Sequence, residues 1–211
     1  MINSINISLV VIAYLLGSLP SAVWIGKMMY GIDVREYGSG NAGATNTFRV
    51  LGKRAGIPVL IIDILKGFIA VKLVWTSGKY LPGTQQFVNF ELTLAIAALM
   101  GHIFPIFAGF RGGKGIATLL GILCALHLPA AGLCALVFIT SLFLTRYVSL
   151  SSMLAGLAFP VLIMFLYHEN VASMNVFAMF VSILVLITHQ KNIERLLKGQ
   201  ESKVFTAKKS V

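Results

Sequence analysis

Seven apolar stretches divide this chain, roughly residues 5–25, 55–75, 92–110, 116–127, 129–144, 153–167 and 174–189. Hydrocarbon runs of this length and number exceed what a soluble core can bury. In lipid each backbone N–H and C=O needs an internal partner, which leaves helices as the means of spanning. With 57% hydrophobic residues and a mean hydropathy of +0.88, the expected fold is all-α, a single polytopic membrane domain over 1–211. The first three stretches are long enough to cross upright. The fourth and fifth could form one helix over 116–144, giving six spans, but His127-Leu128-Pro129 opposes it. Proline removes a donor and restricts the residue before it.

The sparse charges favour seven spans. Charged residues are 11% of the chain, yet its net charge is +10. With seven transmembrane helices, the N-terminus outside and the C-terminus cytoplasmic, the inner segments hold 14 of the 17 basic residues, including Lys208 and Lys209. Lys79 alone lies outside, and Lys66 and Lys72 fall within the second stretch. A six-span count strands either Arg111 and Lys114 or Arg146 on the wrong side. The fourth and fifth helices would then be short, about 18–24 Å at 1.5 Å per residue. Cations confined to short loops suit topology and anionic lipid or substrate rather than nucleic acid. The start Met1-Ile2-Asn3-Ser4 lacks a basic n-region and a small-residue cleavage site, so the first stretch is expected to remain in the protein. Cys124 and Cys134 lie in apolar surroundings and read as small hydrophobes. No spacing suggests a metal site or a nucleotide fingerprint.

Seven spans bring four polar segments to one face. The first is Gly38-Ser39-Gly40-Asn41-Ala42-Gly43-Ala44-Thr45-Asn46 with Arg49, rich in donors and free of carboxylates from 38 to 49. Its glycines can turn backbone N–H groups toward one anion, most suitably a phosphate. The second, Arg111-Gly112-Gly113-Lys114-Gly115, follows the logic of a phosphate loop: backbone amides and a lysine at a helix N-terminus. It lacks the Walker A spacing. The third, Arg146-Tyr147-Val148-Ser149-Leu150-Ser151-Ser152, offers hydroxyls beside a guanidinium, with helix capping as the alternative use of the serines. In the fourth, His189 and Asn192 are spaced to share a helical face, where one could hold a hydroxyl and the other deprotonate it. The tail after His189, basic and polar, reads as a short cytoplasmic helix or a frayed end lying on the anionic leaflet. Asp63 and Lys66, deep in the second stretch, read as a self-neutralising pair pinning helix packing. His102 either packs near Pro105 or joins the site.

These four ordered motifs resemble those of the bacterial acyl-phosphate:glycerol-3-phosphate acyltransferases, over about residues 10–200. The resemblance implies a seven-helix enzyme of the bacterial inner membrane with its active site at the cytoplasmic face. Such an enzyme transfers a fatty acyl group from acyl phosphate to glycerol 3-phosphate, the first acylation of phospholipid synthesis. It releases lysophosphatidic acid and phosphate and uses no metal or cofactor. Membrane lipid and the soluble acyl-phosphate-forming enzyme are the implied partners. By motif, Ser39, His189 and Asn192 would be catalytic. Asn41, Thr45, Arg49, Gly112, Gly113, Lys114, Gly115 and Ser152 would bind substrate. An acyl phosphate is already activated, so no covalent nucleophile is needed; either His189 or a substrate phosphate could take the proton. A transporter of phosphate or an organic anion would share the cationic loops. It would also need access from both sides and repeated halves, which the one-sided, unrepeated motifs do not provide. An acyltransferase of the His-x4-Asp type lacks its motif, the nearest spacing being His189 to Glu194.

Overall fold

The structure is a computed structural model and describes residues 4–204. Residues 1–3 of the start and Lys208 and Lys209, used in the sequence reading, lie outside the described residues. The α-helices of the described chain run α1 Ser4–Gly17, α2 Ser21–Tyr30, α3 Ala44–Leu51, α4 Lys53–Lys72, α5 Gln85–Ile103 and α6 Ile116–Leu126. They continue with α7 Leu128–Thr145, α8 Val148–Val161, α9 Ala172–Thr188 and α10 Gln190–Leu197. The chain divides into two compact units, the first ending at Leu128 and the second beginning at Pro129.

In the first unit α4 is central, packed against α1, α2, α3, α5 and α6. It meets α6 backbone to backbone. A Cβ on Gly121 would overlap the Ile64 carbonyl oxygen, and one on Gly67 the Thr118 carbonyl oxygen. Small residues at such crossings let helices close to a distance that larger side chains forbid. That closeness puts Asp63 and Lys66 inside the unit, their side chains 1% and 4% exposed. Leu9, Ala13, Ala70, Val74, Phe87, Leu94 and Ala98 form an apolar cluster among α1, α4, the 3-10 turn Leu73–Ser77 after it, and α5.

Several boundaries differ from the sequence reading. The first stretch is not one helix: α1 and α2 meet at 42°, because Pro20 has no N–H with which to continue the α1 ladder. α5 starts at Gln85 rather than Leu92, where Thr84 Oγ1 caps it by accepting from the Phe87 N–H at 3.3 Å. The break expected before Pro129 is present, with α6 closing at Leu126 and His127 extended at φ −152°, ψ 84°.

In the second unit α8 packs on α9, and α9 meets α10 at 59°. α8 begins at Val148, so Ser149, Ser151 and Ser152 are helical rather than part of a preceding loop. Beyond Pro160, α8 widens into a π turn over Leu162–Leu166. α7 exposes Leu136, Ile139, Phe143 and Leu144, an apolar face suited to lipid.

By length and composition three helical stretches can cross a membrane, Gln85–Ala108, Leu128–Thr145 and Val148–Leu166, or up to five if each bent pair counts as one. α4 has the length, at 20 residues, but carries Asp63, Lys66 and Lys72. α6 has 11 residues, which at 1.5 Å per residue is about 16 Å, well short of a hydrocarbon core of about 30 Å. α7 is the longer of that pair, at 18 residues.

Candidate active site

The first motif is only partly a loop. Residues 38–43 are irregular, but α3 takes over at Ala44, so Thr45, Asn46 and Arg49 are helical. Asn46 and Thr47 face inward and are buried, while Thr45 and Arg49 lie on the exposed side. Asn46 organises the turn. Its Oδ1 accepts the Ser39 N–H at 2.8 Å and the Ser39 hydroxyl at 3.1 Å. Its amide donates to the carbonyls of Val34 at 2.8 Å and Tyr37 at 3.1 Å. A Cβ on Gly38, at φ +62°, would overlap the same Oδ1. Ser39 is thus exposed yet tied, and Asn41 is half-buried beside it.

The second motif runs back along the end of α5. The Gly112 N–H donates to the Ile103 carbonyl and the Gly113 N–H to the His102 carbonyl, both at 3.2 Å. These two amides are therefore occupied and do not form the phosphate cradle expected from the glycines. What the glycines supply is close approach. A Cβ on Gly112 would overlap the His102 carbonyl oxygen, and one on Gly113 the His102 ring. Lys114, half-buried, precedes α6, and Gly115 turns into that helix at φ +81°.

The two motifs adjoin. Gly112, Gly113 and Ala42 line one narrow pocket with Pro20, Ser21, Lys66 and His102. Arg35 bridges them from outside, its guanidinium donating to the carbonyls of Ala108 at 2.7 Å and Arg111 at 3.3 Å. It also grips both Asp33 carboxylate oxygens, at 2.9 and 2.7 Å. Hydrogen bonding from Arg35 outweighs partial burial and holds the Asp33 carboxyl down at about 2.

The second unit builds its polar centre around Glu201. One carboxylate oxygen accepts from the Ser149 hydroxyl and the Asn192 amide, both at 2.7 Å. The other accepts from Arg195 at 2.7 Å. Burial alone would raise this carboxyl, but the bonds from Arg195, Ser149 and Asn192 outweigh it and hold Glu201 below the usual glutamate range. His189 does not share a helix with Asn192. It sits at the break between α9 and α10, 2% exposed. Its Nδ1 lies 2.8 Å from the Val185 carbonyl, an acceptor only, so Nδ1 carries the hydrogen and Nε2 the lone pair in the neutral ring. The serines do not cap α8: Ser151 donates back to the Tyr147 carbonyl at 2.8 Å and Ser152 to Val148 at 2.9 Å.

Asn46, Arg35 and Glu201 escaped the sequence reading. Asn46 lay inside the first motif without a role. Glu201 carried a weak signal, as one of two carboxylates, with Glu194, in a basic tail.

Helices of this length and apolarity define a helical membrane protein. The chain matches the family described as glycerol-3-phosphate acyltransferase over residues 7–199. It is 44% identical to the glycerol-3-phosphate acyltransferase of Enterococcus faecalis, covering 93% of this chain and 90% of that one. It is 43% identical to that of Bacillus cereus strain G9842, covering 95% and 96%. Among solved structures it resembles PlsY, an integral membrane glycerol 3-phosphate acyltransferase, in its glycerol 3-phosphate form. There the TM-score is 0.84 and the identity 35%, over 94% of both chains. The lysophosphatidic acid form gives a TM-score of 0.82 at 34% identity, again over 94% of both. The protein belongs to the glycerol-3-phosphate acyltransferase family.

Proposed function

We propose that this protein transfers a fatty acyl group from acyl phosphate to glycerol 3-phosphate, releasing lysophosphatidic acid and inorganic phosphate. The observation that carries the reading is the near full-length similarity to PlsY in its glycerol 3-phosphate form, with 94% of both chains matched. Two phosphate-bearing substrates repel each other unless neutralised, and Arg49 and Lys114 are the cations for that task. Asn41, Thr45 and Ser152 add hydrogen bonds, while Gly112, Gly113 and Gly115 act by letting the Lys114 loop lie close against α5. Ser39 faces the acyl carbonyl, where it stabilises the developing oxyanion. Asn192, with its amide aimed by Glu201, holds the glycerol hydroxyl. His189 takes its proton at Nε2, the tautomer fixed by the Val185 carbonyl. The hydroxyl oxygen bonds to the acyl carbon, the acyl–phosphate bond breaks, and its electron pair leaves with phosphate.

The chain does this as one domain of the bacterial inner membrane, crossing seven times with the N-terminus outside and the motifs at the cytoplasmic face. Membrane lipid surrounds it, and the soluble enzyme that forms acyl phosphate is the partner that supplies its donor. Two measurements test the reading. Purified protein should release phosphate from acyl phosphate plus glycerol 3-phosphate and turn over none with acyl-CoA as sole donor; comparable rates from both donors overturn the assignment. For topology, single cysteines at the exposed positions Glu36, Arg111, Arg146 and Lys191 should label from the cytoplasmic side, and one at Lys79 from outside. Opposite labelling of Arg111 and Arg146 would mean that 116–144 crosses once, as in the six-span count.

A further inference from the structure

We propose that His102 and Thr118 are positioning residues that set the place of Lys114, braced by the buried Asp63–Lys66 pair. This rests on the phosphate-holding role given to Lys114 above. His102, 5% exposed, lies near the end of α5. Its carbonyl accepts the Gly113 N–H at 3.2 Å, which fixes the chain one residue before Lys114. Its ring Nδ1 lies 2.9 Å from Thr118 Oγ1, in the first turn of α6 and four residues after Lys114. The ring also lies against Gly113 so closely that a Cβ there would overlap it. One residue therefore holds the approach to Lys114 through its backbone and the turn after it through its side chain.

Behind the ring, Asp63 Oδ1 lies 3.8 Å from His102 Nδ1. The same oxygen accepts the Ser21 hydroxyl at 2.8 Å and pairs with Lys66 at 2.8 Å. The Lys66 ammonium in turn donates to the Leu19 carbonyl at 2.9 Å, in the bend between α1 and α2. The cluster thus ties α4 to the α1–α2 bend by hydrogen bonds and lies against the His102 ring of α5, which reaches α6 through Thr118. Asp63 Oδ1 and the Lys66 ammonium bond to the protein's own groups, as in a brace, while Asp63 Oδ2 is buried without a hydrogen bond. A buried ion pair is a poor source of net stability. Its use here is geometric, because a displaced lysine loses the alignment on which a bound phosphate depends.

Thr118→Val keeps the branched shape and removes the hydroxyl. In purified protein it should raise by about 3- to 10-fold the KM of whichever substrate Lys114→Ala weakens, with kcat changed less; Thr118→Ser should restore it. On a Lys114→Ala background the effect of Thr118→Val should vanish, because the group being positioned is gone. Additive effects in that cycle, or an unchanged KM in folded Thr118→Val, overturn the proposal. If Thr118→Val fails to fold, the same cycle is run with His102→Asn, which keeps a polar atom near the Nδ1 position. Calorimetric binding of glycerol 3-phosphate reads the cycle without turnover. A wild type that binds but transfers no acyl group would refute the proposed function and still decide whether Thr118 and Lys114 are coupled.

Discussion

The two units hold their polar motifs by different means. In the first, the segments carrying Ser39 and Lys114 are fixed largely by backbone carbonyls and by glycines that let chains approach. Asn46 ties Ser39, and the end of α5 ties Gly112 and Gly113. In the second, Ser149, Asn192 and Arg195 converge on the single carboxylate of Glu201, whose side chain is 7% exposed. Distributed ties spread the first unit's geometry over backbone bonds, glycine contacts and more than one ion pair. A hub makes the second unit's geometry depend on one charge and on its protonation. The difference suits the tasks proposed for them: a rigid seat for phosphate, and an aimed amide beside a base for the hydroxyl.

Substitutions can break this contrast. Ser39→Ala has the largest expected effect among the first unit's tied groups. Loss of one oxyanion donor costs about 10²–10³ in kcat, with KM little changed. A near-normal kcat with a raised KM would make the first motif a phosphate clamp only, and would move the chemistry wholly to His189 and Asn192. Glu201→Gln comes next. It sets a donor against Arg195 and removes the charge that collects Ser149 and Asn192, at a cost of about 1–3 kcal/mol in unfolding stability. It should also lower kcat by misaiming Asn192; unchanged stability and kcat would show that the hub is dispensable. The smallest effect concerns pH. Glu201 is depressed in the folded protein, so its stabilisation is present above the ordinary value of 4.5 and is lost as the pH falls through the folded value. Asp33 behaves likewise, with full effect above 3.8 and loss toward about 2. Thermal unfolding across this acid range should lose stability in the wild type, and Glu201→Gln should remove part of that pH dependence. An identical acid limb in both would separate Glu201 from acid stability.

The helical class and the break before Pro129 were legible in the sequence, because hydropathy and proline act locally. The bend at Pro20 was passed over, although Gly17, Ser18 and Ser21 interrupt the apolar run there. The polar serines of α8 read as loop because their hydroxyls can bond to helix carbonyls as readily as to water. The roles of Asn46 and Glu201 depend on partners brought close only by folding, such as Ser149, 52 residues from Glu201. The glycines of the second motif were legible as glycines but misread in use. Their composition permits an amide cradle, and only the apposition of α5 reveals that two of those amides are already occupied.

The division of labour between the two regions is tested most directly by kcat and KM for both substrates in Lys114→Ala and His189→Ala, measured side by side. Lys114→Ala should act mainly on KM for a phosphate-bearing substrate, as loss of ground-state binding does. His189→Ala should lower kcat by about 10²–10⁴, as loss of a general base does, with KM close to wild type. The opposite pattern, a kcat effect at Lys114 and a KM effect at His189, would contradict the account.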